Sequence, residues 1–165
     1  MISPELLNDY RPYYDSEVPE AVQRIAEDAL FEQIVKFVFP ERDFAEFAEN
    51  FKKISTVYQF QDEVMNKAIH RIVDMTMTNL SYSSVENLTN DKSYMYISNH
   101  RDIVLDSAIL QIILFGSGIK TSEITFGSNL MRPQIVVDIG KINKMFKIVR
   151  GGTIREIFVN SLKVS

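Results

Sequence analysis

A short polar run interrupts the most apolar part of the chain. In "YISNHRDIVLDSAILQIIL" the polar run begins at Asn99, and a further carboxylate follows at Asp106. Burying unpaired charge is costly, so such a run is either exposed or chemically useful. His100 can act as a general base if a carboxylate holds its second ring nitrogen. The residue types therefore predict a histidine–aspartate pair, with Asp102 and Asp106 as alternative partners.

The chemistry expected of this pair is removal of a proton from a hydroxyl group. The chain contains no cysteine, and no serine lies in the sharp strand-to-helix turn that presents a hydrolase nucleophile. We therefore expect the substrate to bring its own nucleophile. The alternative is structural: Asp102 caps the following helix, Arg101 pairs with a nearby carboxylate, and His100 is an ordinary surface residue.

The elements around the motif follow from the spacing of apolar residues. "YMYIS" at 94–98 is rich in tyrosine and β-branched residues, which is typical of a strand, and helical spacing resumes at 105–115. "EITFG" and "FKIVR" predict two further strands, and 154–164 predicts a final helix. This alternation predicts an α/β fold, in which functional residues gather just beyond strand ends.

The first half of the chain has helical spacing instead. "ALFEQIVKFVF" predicts a helix that ends at Pro40, where the missing amide hydrogen stops it, and Asp43 is placed to cap the next helix. A longer helix is predicted from about Val57, with one apolar face formed by Phe60, Val64, Ala68, Ile72 and Met75. We therefore predict an N-terminal helical subdomain at 1–80 and an α/β domain at 90–165.

Composition narrows the classes of partner. With 45 % hydrophobic and 24 % charged residues, the chain is typical of a soluble globular domain. Its net charge of -4 provides no basic field for nucleic acid. Two histidines and no cysteine leave little for a metal site, so we predict no metal.

Hydropathy predicts a cytoplasmic protein. The N-terminus lacks the basic and apolar regions of a signal peptide. The most apolar window, 103–115, is well short of the ~20 residues that a membrane-spanning helix needs. Any membrane contact is therefore expected to be peripheral.

Two strings resemble motifs of the glycerophospholipid acyltransferases, the family that acylates glycerol-3-phosphate and lysophosphatidic acid. "YISNHRDIVLDSAIL" resembles the first motif of that family, and "FKIVRGG" resembles the second. The resemblance implies that His100 is the catalytic base and Asp106 its orienting carboxylate. It also implies that Phe146 and Arg150 line the site for the phosphate of the acceptor. Two neighbours of the base, Asn99 and Arg101, are further candidates for substrate binding.

The resemblance implies an enzyme of bacterial phospholipid synthesis. Such an enzyme moves a fatty acyl group from acyl-CoA or acyl carrier protein to a hydroxyl of glycerol-3-phosphate or a lysophospholipid. It needs no cofactor, no metal and no covalent enzyme intermediate. The implied location is cytoplasmic with peripheral membrane association, and the oligomeric state stays open.

The chain departs from the family pattern in two places. Five residues separate His100 from Asp106, one more than the family places there, so Asp102 stays a competing partner. The third family motif, Glu-Gly-x-Arg, is absent, so we expect only the first part of an acyltransferase-type sheet domain. Two alternative functions follow: a truncated, catalytically silent fragment that self-associates through an exposed sheet edge, or a thioester hydrolase in which the same pair activates water.

Overall fold

The computed structural model describes residues 8–99 and 101–149. Their contacts form two compact units, one made of 8–61 and 123–149 and the other of 62–122 without residue 100. Compactness does not by itself identify a segment that folds alone. The division into domains at 1–80 and 90–165 therefore stays a prediction.

Helices dominate both units. In chain order they are α1 (Val18–Glu27), α2 (Phe31–Val38), α3 (Phe44–Phe51), α4 (Val57–Phe60), α5 (Lys67–Thr76), α6 (Leu105–Gly116) and α7 (Gln134–Ile142). Shorter turns of 3-10 helix lie at Asp15–Glu17, Val85–Asn87 and Ser128–Leu130, and a π-helical segment lies at Gln61–Asn66. None of the helices in the described part of the chain combines the length and the hydrophobicity needed to cross a bilayer.

Local signals in the sequence account for several of these helices. The predicted helix before Pro40 is confirmed as α2, which ends at Val38. The predicted cap of α3 is also confirmed, because the Asp43 carboxylate accepts a hydrogen bond from the amide of Glu46 at 2.9 Å. This bond satisfies one of the backbone donors that a helix start leaves without an intrahelical partner.

The first unit has an apolar core between α1 and α7. Val18 and Val22 of α1 and Ile142 of α7 are completely buried. A second part of the core consists of phenylalanine rings, in which Phe31 and Phe51 lie with their ring centroids 4.8 Å apart. Apolar residues at helical spacing thus form a stripe that packs inward, as expected for amphipathic helices.

The predicted apolar face of the longer helix is only partly correct. Ala68 is buried, but Met75 is 59 % exposed, and Ile69 and Val73 occupy the core instead. The π-helical segment Gln61–Asn66 explains the difference, because its hydrogen bonds span one residue more than those of an α-helix. Side chains after it are therefore rotated relative to the face that a regular helix would have.

The second unit is built on α5 and α6. Its core consists of Ile69 and Val73 from α5 with Ala108 and Ile112 from α6. The buried side chain of Gln111 binds the segment that follows α6. Its Nε2 donates to the Ser122 hydroxyl at 2.8 Å, and its Oε1 accepts a hydrogen bond from the Ser122 backbone N–H at 2.9 Å.

Two of the three predicted strands are confirmed. "EITFG" contains β1 (Ile124–Gly127), and "FKIVR" at 146–150 overlaps β2 (Met145–Ile148). These strands pair in parallel, with Ile124 opposite Met145 and Gly127 opposite Ile148. The third predicted strand, 94–98, is irregular, and within the described residues no backbone hydrogen bond reaches it.

The predicted fold class is therefore wrong for the residues that the structure describes. We predicted an α/β fold in which a helical subdomain precedes the first part of an acyltransferase-type sheet domain; the described chain is mostly helical, with one two-stranded parallel sheet. The reason is that strand propensity expresses packing against neighbouring strands, which 94–98 lacks here. The predicted helix at 154–164 lies outside the described residues.

Candidate functional site

The polar motif forms an exposed turn that leads into α6. Arg101 and Asp102 are exposed and Asp106 is half-buried in the first turn of the helix, while Ala108 is part of the core of the second unit. The apolar face of α6 therefore fixes the helix, and its N-terminal end presents the polar residues at the surface. His100 itself lies outside the described residues.

Asp102 binds amides at the start of α6. Its Oδ1 accepts hydrogen bonds from the backbone N–H of Val104 at 2.8 Å and of Leu105 at 2.7 Å. These donors lie where a helix start has no intrahelical acceptors, so a carboxylate here satisfies them. Asp102 thus does what the helix-capping interpretation expects of it.

Asp106 holds the turn that precedes its own helix. Its Oδ2 accepts the backbone N–H of Arg101 at 2.6 Å and that of Asp102 at 3.0 Å. Hydrogen bonds to a charged acceptor are stronger than those between neutral groups. Because Arg101 directly follows His100, Asp106 fixes the backbone beside the predicted base.

The remaining predicted site residues lie elsewhere. Asn99 is exposed and precedes the turn, and Phe146 is half-buried on β2, in the other compact unit. Arg150 lies outside the described residues. The structure therefore brings together Arg101, Asp102 and Asp106. The pairing of a carboxylate with His100 and the phosphate site stay predictions.

A second polar cluster escaped the sequence analysis. Asp138 on α7 is 1 % exposed, and Arg24 of α1 binds both of its oxygens, through Nη2 at 2.8 Å and Nε at 3.1 Å. The Tyr13 hydroxyl donates to Asp138 Oδ1 at 2.7 Å. A signal existed in the sequence, since "QIVVDIG" places one carboxylate among apolar residues, but its partners are more than one hundred residues away along the chain.

The protonation of this cluster follows from its burial. Burial, reinforced by the hydrogen bond to Asp138, raises the pKa of Tyr13 to about 12. The hydrogen bond with Asp138 raises the pKa of Arg24 above its already high ordinary value, so the guanidinium stays charged. The Arg24 guanidinium is therefore charged and the Tyr13 phenol neutral near neutral pH, and their contacts with the buried Asp138 are structural.

Comparisons with known proteins leave the family open. No protein-family model matches the chain. No curated protein and no solved structure shows significant similarity to it. The resemblance to glycerophospholipid acyltransferases thus stays a prediction that depends on the two motifs.

Proposed function

We propose that this protein is an acyltransferase that moves a fatty acyl group from a thioester to a hydroxyl of glycerol-3-phosphate or a lysophospholipid. Besides the resemblance of the two motifs, one observation of the structure supports the proposal. Asp106, the carboxylate of the first motif, binds the amides of the two residues that follow His100. The spacing of five residues, which departs from the family, is therefore compatible with a direct role of Asp106 in the turn.

The proposed reaction uses His100 as the general base. Its imidazole takes the proton of the acceptor hydroxyl as that oxygen attacks the thioester carbonyl carbon. The carbon–sulfur bond then breaks, the acyl group stays on the acceptor oxygen, and the thiolate of coenzyme A or acyl carrier protein leaves and takes up the proton. Asp106 acts through His100 and is a positioning residue.

The proposed acceptor site uses guanidinium groups. A guanidinium donates two parallel hydrogen bonds, which suits the oxygens of a phosphate. Arg150 follows β2 in the chain, and Arg101 is exposed beside the motif. The second motif assigns Arg150 and Phe146 to the acceptor phosphate by resemblance. Arg101 and Asn99, beside the first motif, are separate candidates for substrate binding.

The direct test of the proposed function is acyl transfer from a long-chain acyl-CoA and from acyl carrier protein. Glycerol-3-phosphate and lysophosphatidic acid are offered separately as acceptors. We expect product formation that depends on the acceptor. Release of free thiol at the same rate without an acceptor would instead identify a thioester hydrolase, and release of no thiol under any condition would contradict both enzymatic functions.

Asp106 and Asp102 are expected to differ in their effects on transfer. Both variants keep one acceptor oxygen and lose the negative charge that strengthens the hydrogen bonds. Asp106→Asn weakens the bonds to the amides of Arg101 and Asp102, the two residues that directly follow His100, so we expect kcat to fall about tenfold. Asp102→Asn weakens the bonds to Val104 and Leu105, which lie farther along the chain from His100, so a loss of kcat below about threefold is expected. Steady-state kinetics of both variants decides, and a larger loss in Asp102→Asn would assign the orienting role to Asp102.

A specific observation also favours the silent, self-associating alternative. Segment 94–98, which no backbone hydrogen bond from the other described residues reaches, exposes the side chains of Met95 (86 %) and Ile97 (88 %). These two residues lie two positions apart and would share one face of an extended chain. Extended apolar segments with free backbone groups tend to pair with other chains. A mass that rises with protein concentration, without thiol release, would support this alternative.

A further inference from the structure

The side chains of residues 94–97 alternate in exposure. Met95 and Ile97 are largely exposed, whereas Tyr94 is 36 % exposed and Tyr96 is half-buried. The rings of the two tyrosines lie side by side, with their centroids 6.3 Å apart. Side chains of an extended chain alternate between two faces. The two tyrosines therefore share the inner face of an extended segment, and Met95 and Ile97 share its outer face.

The backbone of this segment receives no backbone hydrogen bond from the rest of residues 8–99 and 101–149. Its sequence, "YMYIS", also contains no charged residue and no proline. Proteins usually protect a strand edge of this kind with charged side chains, with proline or with a covering element. A lipid surface could cover the apolar side chains but offers no partner to the peptide groups. A second copy of the segment offers partners to both.

Two copies of the segment are complementary when they pair antiparallel about Tyr96. Met95 of each copy then lies opposite Ile97 of the other on the outer face. Just beyond each end, the exposed Asp91 of one copy comes beside the exposed Arg101 of the other. A hydrogen bond from a neighbouring hydroxyl lowers the pKa of Asp91, so its carboxylate is charged near neutral pH. Parallel pairing in register would instead place like charges together, which destabilises a strand pair.

We propose that two copies of this chain pair through residues 93–99 as antiparallel strands. Met95 of each copy lies opposite Ile97 of the other, and Asp91 of each copy pairs with Arg101 of the other. Both copies use the same residues, so the association closes at two chains. The second copy thus brings a carboxylate to Arg101, a candidate substrate-binding residue. The pairing needs neither an acyl donor nor an acceptor, so it does not rest on the proposed transfer.

Introduced cysteines test the register, because the chain has no cysteine of its own. Directly opposite residues have Cα atoms about 4.5–5.5 Å apart, which a disulfide can bridge, whereas diagonal neighbours at about 7–8 Å are too far apart. We would mix the full-length Met95→Cys and Ile97→Cys variants, oxidise the mixture, and identify the cross-linked pairs by intact mass. We expect at least about fivefold more of the mixed disulfide than of either homotypic one. Any smaller excess would overturn the antiparallel register.

Charge reversal tests the contact between Asp91 and Arg101. Asp91→Lys and Arg101→Glu each place like charges together, so we expect the dissociation constant of the pair, measured by sedimentation equilibrium, to rise about tenfold. The double variant restores opposite charges, so its constant should lie within about threefold of that of the unmodified chain. Lys67→Glu is the matched control, because Lys67 is exposed in the same unit but lies at the start of α5. We expect it to leave the constant unchanged.

The same sedimentation experiment decides between a second copy and lipid. We expect the mass of the unmodified chain to rise with concentration toward that of two chains and no further. A mass of one chain at every concentration, or a double variant as weak as the single ones, would overturn the proposal. Co-sedimentation of a single chain with phosphatidylcholine vesicles would assign the outer face to lipid instead.

Discussion

His100→Ala is expected to reduce acyl transfer by a factor of about 100 to 10,000, the range that a positioned general base contributes. Without the imidazole, no other group assigned to the site accepts the proton of the acceptor hydroxyl, because Asp102 and Asp106 bind backbone amides through their carboxylates. The loss should appear in kcat. The KM for the acceptor should change little, since the proposed phosphate contacts come from arginines.

The measurement is steady-state transfer to glycerol-3-phosphate or lysophosphatidic acid, with thermal unfolding of each variant recorded in parallel. His70→Ala is the control, because His70 is exposed on α5 and its ring Nδ1 contacts the carbonyl of Asn66 at 2.8 Å within the same helical stretch. We expect His70→Ala to retain transfer. Retained transfer in His100→Ala would remove the general base from the proposal, and loss of transfer in both variants at unchanged unfolding temperature would contradict the assignment of His100 alone.

The parts of the fold that the sequence predicted are those fixed by neighbours in the chain. The helix before Pro40, the cap at Asp43 and the strands β1 and β2 depend on local propensities, capping side chains and backbone breaks. The predictions that were wrong concern features that residue periodicity and propensity do not determine. The apolar face after Val57 was rotated by a π-helical segment that periodicity alone does not reveal. Segment 94–98 has strand propensity, but no partner strand lies among residues 8–99 and 101–149.

For the candidate site, too, the sequence predicted some features and could not predict others. The sequence predicted a polar turn at the start of a helix, and the structure places Arg101, Asp102 and Asp106 in that turn. It could not tell which carboxylate binds which amides, because both aspartates lie within reach of the same short backbone segment. The sequence shows one carboxylate among apolar residues at Asp138, but not its partners, because Tyr13 and Arg24 lie more than one hundred residues away along the chain.

Asp138→Ala is expected to lower the free energy of unfolding by about 2–4 kcal/mol. The carboxylate is 1 % exposed and accepts from both the guanidinium of Arg24 and the hydroxyl of Tyr13, so its removal leaves two donors without this acceptor. Because the Arg24 side chain is 37 % exposed, water compensates part of the lost interaction. The expected loss is therefore below that of a fully buried ion pair.

Arg24 offers its own control, because it also pairs with Glu20 at 3.0 Å on the surface of α1, where the Glu20 side chain is 85 % exposed. Glu20→Gln should change the free energy of unfolding by about 0.5 kcal/mol or less, since exposed pairs within a helix contribute little. Urea unfolding of both variants, with equal dependence on urea concentration as a check on the unfolded state, gives the comparison. Equal effects of the two substitutions would mean that Asp138 acts as a surface charge, and that the contact between α1 and α7 depends on its apolar residues alone.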